Sequence, residues 1–83
     1  MWYVYILECR DKSLYAGITK NLKRRVEEHN AGKLGSTYTR GRRPVKLVYS
    51  SRKKDRSAAL KAEYRIKKLS KPEKLKICKI KIL

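Results

Sequence analysis

Apolar and polar positions change period several times along the chain. Residues 2–9 are apolar, β-branched or aromatic for most of their length, and Glu8 is polar near the end, which predicts a first strand. Arg10-Asp11-Lys12-Ser13 is a short polar turn, and Leu14-Tyr15-Ala16-Gly17-Ile18 reads as a second strand that closes a hairpin. Thr19 or Asn21 can cap a helix running to about Asn30, with Gly32 suited to its left-handed stop. A polar, glycine-containing loop from Lys33 to Pro44 leads to a third strand, Val45-Lys46-Leu47-Val48-Tyr49. Asp55 or Ser57 opens a second helix that reaches about Leu69. Ser70-Lys71-Pro72-Glu73 then has the spacing of a capping box before a short third helix. The lysine-isoleucine tail after Cys78 is ambiguous. The expected order is β-β-α-β-α-α, an α+β domain with a small three-stranded antiparallel sheet flanked by helices.

Helical spacing separates polar residues on the surface from those on an inner face. In the first helix Leu22, Val26 and His29 share one face, with Arg25 on or beside it. Lys23, Arg24, Glu27 and Glu28 are expected to face solvent. In the second helix Ala59, Glu63 and Ile66 align, flanked by Ala62 and Leu69, so Glu63 is a carboxylate within an apolar stripe. A buried carboxylate without a partner is costly, so a cation, a metal ion or a hydrogen-bond donor is expected beside it.

Composition narrows the class. The 83 residues suffice for one domain, 1–83, burying somewhat over ~60% of the unfolded surface. The 41% hydrophobic content argues for a folded protein rather than a basic tail. No run approaches the ~20 apolar residues of a membrane span, and the first residues read as a strand rather than a signal peptide. Cys9 and Cys78 lack metal-ligand spacing and are expected as reduced thiols. Charge changes the picture most: 24 Lys and Arg against 7 Asp and Glu give a net +17, spread along the whole chain. Such a field attracts polyanions through counterion release. An anionic membrane surface would call for the Trp/Phe/Leu face of an interfacial helix, whereas these basic helices carry a core stripe. Nucleic acid is the expected partner.

The chemistry-bearing residues then fall into an ordered series: Tyr3-Val4-Tyr5-Ile6-Leu7, Leu14-Tyr15-Ala16-Gly17-Ile18-Thr19, Leu22 to His29 with its Arg25, Tyr38-Thr39-Arg40-Gly41-Arg42-Arg43-Pro44, and Asp55-Arg56-Ser57 through Glu63. This series resembles the GIY-YIG nuclease superfamily, and within it the small stand-alone UPF0213 (YhbQ-like) group, over nearly the whole chain to about Ile77. The resemblance implies a divalent-metal-dependent endonuclease acting on DNA, with RNA not excluded, in repair or processing and in a bacterial cytoplasm. By the same resemblance, Tyr5 and Tyr15 are the motif tyrosines, one of which helps activate the attacking water. A phenol of pKa ~10 can do so at neutral pH only if a cation such as Arg25, His29 or the metal lowers that value. Gly17 would allow close approach, Arg25 would hold the scissile phosphate, and His29 would assist proton transfer. Glu63 would hold one Mg²⁺ or Mn²⁺. Tyr38, Arg40, Arg42 and Arg43 would form a nucleic-acid-gripping loop.

Read from the residues alone, the same positions have other uses. Tyr5 and Tyr15 suit a sheet, His29 suits a helix C-terminus, Arg25 with Glu63 can form an ion pair between helices, and the basic loop can be a solvated one. Tyr3 and Tyr49 are expected as packing residues. The sequence also departs from the superfamily pattern. Tyr3-Val4 stands where glycine-isoleucine is usual, Ala16 replaces the central isoleucine of the second motif, Ile18 stands where some relatives have lysine, and no asparagine follows Glu63. With no recognition domain expected beside this one, a protein partner could supply targeting, and a catalytically weak nucleic-acid-binding module is the competing reading. The default oligomeric state is a monomer.

Overall fold

The computed structural model describes residues 1–31 and 41–82, with side chains described as far as Cys78. Strand β1 (Trp2–Glu8) lies between β2 (Leu14–Thr19) and β3 (Lys46–Lys53), antiparallel to both, in the order β2-β1-β3. Helix α1 (Leu22–Ala31) follows β2, and α2 (Arg56–Lys68) and α3 (Lys71–Ile82) follow β3. This is the expected β-β-α-β-α-α order. The stop expected at Gly32 lies outside the described residues, as do Tyr38 and Arg40. Among the described residues no helix is long and apolar enough to cross a membrane.

Why the sheet holds together is written in β1. Val4, Tyr5, Ile6 and Leu7 are all essentially unexposed, and side chains alternate between faces along a strand. Val4 and Ile6 therefore pack on one side, with Ala16, Leu14, Ile18 and Tyr49, against Ala62 and Ile66 of α2 and Ile77 and Cys78 of α3. Tyr5 and Leu7 pack on the other, with Cys9, Tyr15 and Val45, against Leu22 and Val26 of α1. A central strand covered on both faces explains its near-continuous apolar run, which an exposed sheet would break with polar residues. Cys9 and Cys78 lie in opposite clusters as free thiols, as expected.

Local chemistry fixes the helix starts. Asn21 Oδ1 accepts from Arg24 N at 3.0 Å and Asp55 Oδ1 from Ala58 N at 2.8 Å, each satisfying a donor that the first helical turn leaves unpaired. Ser70 and Glu73 close the capping box reciprocally, Ser70 N donating to Glu73 Oε1 and Glu73 N to Ser70 Oγ. α3 continues to Ile82, which resolves the ambiguous tail as helix.

One strand differs from expectation. β3 does not stop at Tyr49 but continues through Ser50, Ser51, Arg52 and Lys53, in register with Tyr5 back to Trp2. As an edge strand it needs no apolar alternation there, because its hydrogen bonds to β1 hold it, and exposed cations discourage pairing with another sheet. Its register also slips by one residue between Ile6 and Leu7, making Val48 the extra residue of a bulge.

The approach to β3 is clamped by a side chain that the sequence pattern does not mark. Val45 N donates to Asn30 Oδ1 at 2.7 Å, and Asn30 Nδ2 donates to Val45 O at 3.1 Å. One amide thus completes both backbone groups of a buried residue and ties the end of α1 to β3. Asn30→Ala should destabilise the fold by about 1–3 kcal/mol, the cost of orphaned buried groups. Asn30→Asp, which keeps the acceptor and loses the donor, should fall between, as read from urea denaturation midpoints.

Candidate active site

The face of the sheet beneath α1 gathers the motif residues. Cross-strand partners in an antiparallel pair project to the same side. Tyr5 opposes Gly17 on β2 and Ser50 on β3, and Leu7 opposes Tyr15, so Tyr5, Gly17 and Tyr15 share one face. From above, α1 lowers His29 onto them. The Tyr5 hydroxyl lies 3.2 Å from His29 Nε2, and the His29 ring meets the rings of Tyr5 and Tyr15 edge-on, with centroids 6.2 and 5.3 Å apart.

Gly17 has a reason for being glycine that differs from the expected approach of substrate. A Cβ built there would stand 2.6 Å from the Tyr5 hydroxyl oxygen and 2.8 Å from its Cζ. The phenol lies across the backbone of β2 where any side chain would collide with it.

Protonation follows from geometry. His29 is fully buried, and burial, then the charge of Arg25, pull its pKa down to about 4, with Glu28 opposing. It is therefore neutral at neutral pH. Arg25 lies within hydrogen-bonding range of the Tyr5 phenol, and a guanidinium can only donate. The phenol accepts from Arg25 and shares a hydrogen bond with His29 Nε2, whose direction follows the imidazole tautomer. Burial, the largest influence on Tyr5, raises its pKa, and nearby Tyr15 and Glu63 add to the rise; Arg25 opposes them without reversing it. At Tyr5 the guanidinium lowers the phenol's pKa, and desolvation outweighs it.

Arg25 is held from a second side. Its Nη1 donates to Glu28 Oε1 at 3.1 Å, and both side chains are about one-quarter exposed. Glu28, expected to face solvent, instead orients the site's guanidinium, at the same i,i+3 spacing that would have revealed it.

Glu63 sits among Ala59, Ala62 and Ile66, with its side chain 19% exposed and close enough to Tyr5 to influence the phenol electrostatically. Its partner is Lys67 of its own helix, Nζ to Oε2 at 3.4 Å, while Arg25 takes Glu28. Arg25, Glu28 and Glu63 thus each have a partner within their own helix. Among the described residues no three His, Cys, Asp or Glu side chains form a cluster able to hold a metal by themselves.

The expected gripping loop is anchored where it is described. Arg42 Nε pairs with Asp11 Oδ2 at 3.1 Å, the Arg42 carbonyl accepts from Arg10 N, and Arg43 Nη1 donates to the Asn30 carbonyl near the end of α1 at 3.1 Å. Two further residues on the Tyr5 face escaped the sequence reading. Ser50 pairs across from Tyr5, and Arg52 pairs across from Tyr3, placing an exposed guanidinium one row from the phenol. Extending β3 would have revealed both. Tyr49 packs on the opposite face, as expected.

A β-β-α-β-α-α fold with two tyrosines and a helical arginine on one face of the sheet, and a helical glutamate within electrostatic reach of them, defines a class. The chain matches the GIY-YIG catalytic domain over residues 1–76 and belongs to that family of nuclease domains. Within it the chain falls in the UPF0213 group. It is 54% identical to a UPF0213 protein of Syntrophus aciditrophicus, over 93% of this chain and 88% of that one. It is 53% identical to one of Natronomonas pharaonis, over 87% and 84%. The solution structure of the UPF0213 protein of Bacillus halodurans superposes with a TM-score of 0.62 at 43% identity, covering 98% of this chain and 86% of that one.

The buried imidazole makes stability depend on pH. Its folded pKa lies below the ordinary 6.5, so the unfolded chain binds the proton more readily. The contribution is complete above about pH 6.5 and is lost as pH falls toward 4, amounting to at most about 3 kcal/mol. Urea titrations from pH 7 to 4 should show wild type losing this amount relative to His29→Gln. A constant gap between the two would mean the imidazole titrates alike folded and unfolded. Gly17→Ala should displace the Tyr5 ring, costing about 1–3 kcal/mol as overpacking does, and should shift the His29 ring resonances in NMR spectra.

Proposed function

We propose that this chain is a divalent-metal-dependent endonuclease that hydrolyses phosphodiester bonds in DNA. The observation carrying this reading is the Arg25 guanidinium held between Glu28 and the Tyr5 phenol, beside Tyr15 and within electrostatic reach of Glu63. Packing accounts for the rings of Tyr5, Tyr15 and His29 but not for a partly exposed guanidinium held beside them. A phosphoryl site uses them all.

Arg25, 27% exposed, is the group that grips the scissile phosphate and balances the charge developing on its oxygens. Tyr5 and His29 are almost completely buried, so they position rather than touch: the phenol steadies Arg25, and the neutral imidazole hydrogen-bonds the phenol. Tyr15 is half-buried, and in this reading its hydroxyl serves the attacking water. Glu63 offers a hard oxygen donor, which fits Mg²⁺ or Mn²⁺ held by one carboxylate together with substrate phosphate oxygens. Such an ion, when bound, polarises the phosphate and eases departure of the leaving oxygen.

The net charge of +17 supports a polyanionic substrate. A second reading draws on the raised Tyr5 pKa: a module that binds nucleic acid, cuts poorly by itself and relies on a partner.

A labelled panel of supercoiled, single-stranded, flapped and branched DNA with Mg²⁺ or Mn²⁺ separates the two. Wild type should cut, and Glu63→Ala should bind without cutting; binding without cutting in both proteins would favour the second reading. Tyr15→Phe should slow turnover by about 10²–10⁴-fold, the range for a lost proton-transfer group. Tyr5→Phe should slow it less, and the reverse order would exchange the roles of the two phenols.

A further inference from the structure

Helix α2 carries a second aromatic feature, outside the site face. Ala59, Ala62 and Ile66 turn toward the sheet and Glu63 borders the site, but Tyr64, one residue on and about 100° around the helix, is 62% exposed. Leu60, one turn earlier, is 37% exposed, and Lys68, one turn later, holds its Nζ 4.3 Å from the Tyr64 ring centroid. Lys61 and Arg65 are exposed on either side of this stripe. A cation over an exposed ring contributes only about 0.5–1 kcal/mol, too little to account for leaving a large aromatic in water.

Two kinds of partner use exposed tyrosines. The core of a protein–protein interface enriches tyrosine but is depleted in lysine. Here the ring is bordered by Lys61, Arg65 and Lys68 in a chain of net charge +17, which is the composition of a nucleic-acid surface: a π-face for a base and cations for the phosphates on either side.

Resting on the nuclease reading above, we infer that Tyr64 is a stacking platform for an unpaired base of the substrate strand passing the Glu63 side of the site, with Lys61, Arg65 and Lys68 contacting its backbone. The substrate class follows. Bases inside a duplex present their faces only to each other, so a platform of this kind selects nucleic acid with a single-stranded stretch, such as a flap, an overhang or a gap.

The test measures binding independently of cutting. In the Glu63→Ala background, Tyr64→Ala and Tyr64→Phe are compared with the parent on a single-stranded oligonucleotide containing 2-aminopurine and on a duplex of the same sequence. Tyr64→Ala should weaken single-strand binding roughly 5- to 100-fold and abolish the 2-aminopurine quenching, with duplex affinity and the salt dependence unchanged. Tyr64→Phe, which keeps the π-face, should bind like the parent. Equal losses on both nucleic acids would overturn the inference, as would unchanged single-strand binding, which would give the residue to a protein-facing surface. Selective loss in a protein whose Tyr64-intact wild type never cuts DNA would remove the nuclease reading and leave this one standing.

Discussion

A tyrosine hydroxyl in the middle of a strand buried on both faces has to be satisfied from within the protein, and the site is the solution to that constraint. Tyr5 contributes its ring to the core beneath α1, so its hydroxyl cannot reach water. An unpaired buried polar group costs about 1–3 kcal/mol, and among the described residues no buried side-chain nitrogen or oxygen lacks a partner. The hydroxyl takes a donor from Arg25 and shares a hydrogen bond with His29 Nε2. These two residues lie one helical turn apart, and Gly17 clears the backbone below them. Remove the hydroxyl and Arg25 loses one of its two anchors; add a side chain at Gly17 and the ring has no room. The proposed catalytic geometry and the packing of the β1–α1 interface are therefore one arrangement.

The acids of this chain are committed to local work. Asp55 caps α2 and Glu73 closes the box at α3. Glu8 pairs with Lys46, Asp11 with Arg42, Glu28 with Arg24 and Arg25, and Glu63 with Lys67. With six of the 7 acids so employed and 24 cations in the chain, the excess positive charge has nothing in the molecule to neutralise it. Most of these pairs are surface pairs that contribute little to stability. They place cations rather than hold the fold together: at the hairpin turn, at the start of β3 and beside Glu63. Self-repulsion of this size is tolerated because a polyanion relieves it.

Elements governed by local rules were legible in the sequence. The capping box, the Asp55 and Asn21 caps and the β1 apolar run depend on neighbours a few residues away, and each formed where its pattern lay. The inner face of α1 was legible too, because His29 interrupts an apolar stripe. What could not be read depended on a partner distant in sequence. Ser50 to Lys53 have no strand signature, since edge pairing with Trp2 to Tyr5 is what extends them. Asn30 looks like a helix-ending residue until Val45 lies across it. Glu28 is the exception: its partner Arg25 lies three residues away, and that spacing would have marked the pair. The rise of the Tyr5 pKa was not legible either: a guanidinium is visible in the sequence, whereas the desolvation that outweighs it belongs to the completed core.

Lys67 raises a question that burial and charge can answer. An ammonium 3.4 Å from the Glu63 carboxylate stands where the proposed divalent ion would bind. Its side chain, however, is 56% exposed, and an i,i+4 pair of this kind stabilises a helix by only about 0.3–0.5 kcal/mol. A doubly charged ion sharing the carboxylate with phosphate oxygens interacts far more strongly, so Lys67 yields at little cost. Its flexible stem then leaves it near the incoming backbone, where the charge it withdrew from Glu63 becomes useful. Without substrate, Lys67 keeps the carboxylate from standing unpaired among Ala59, Ala62 and Ile66. The pair is a holding arrangement: it gives Glu63 a partner at the edge of an apolar stripe and is weak enough to be exchanged.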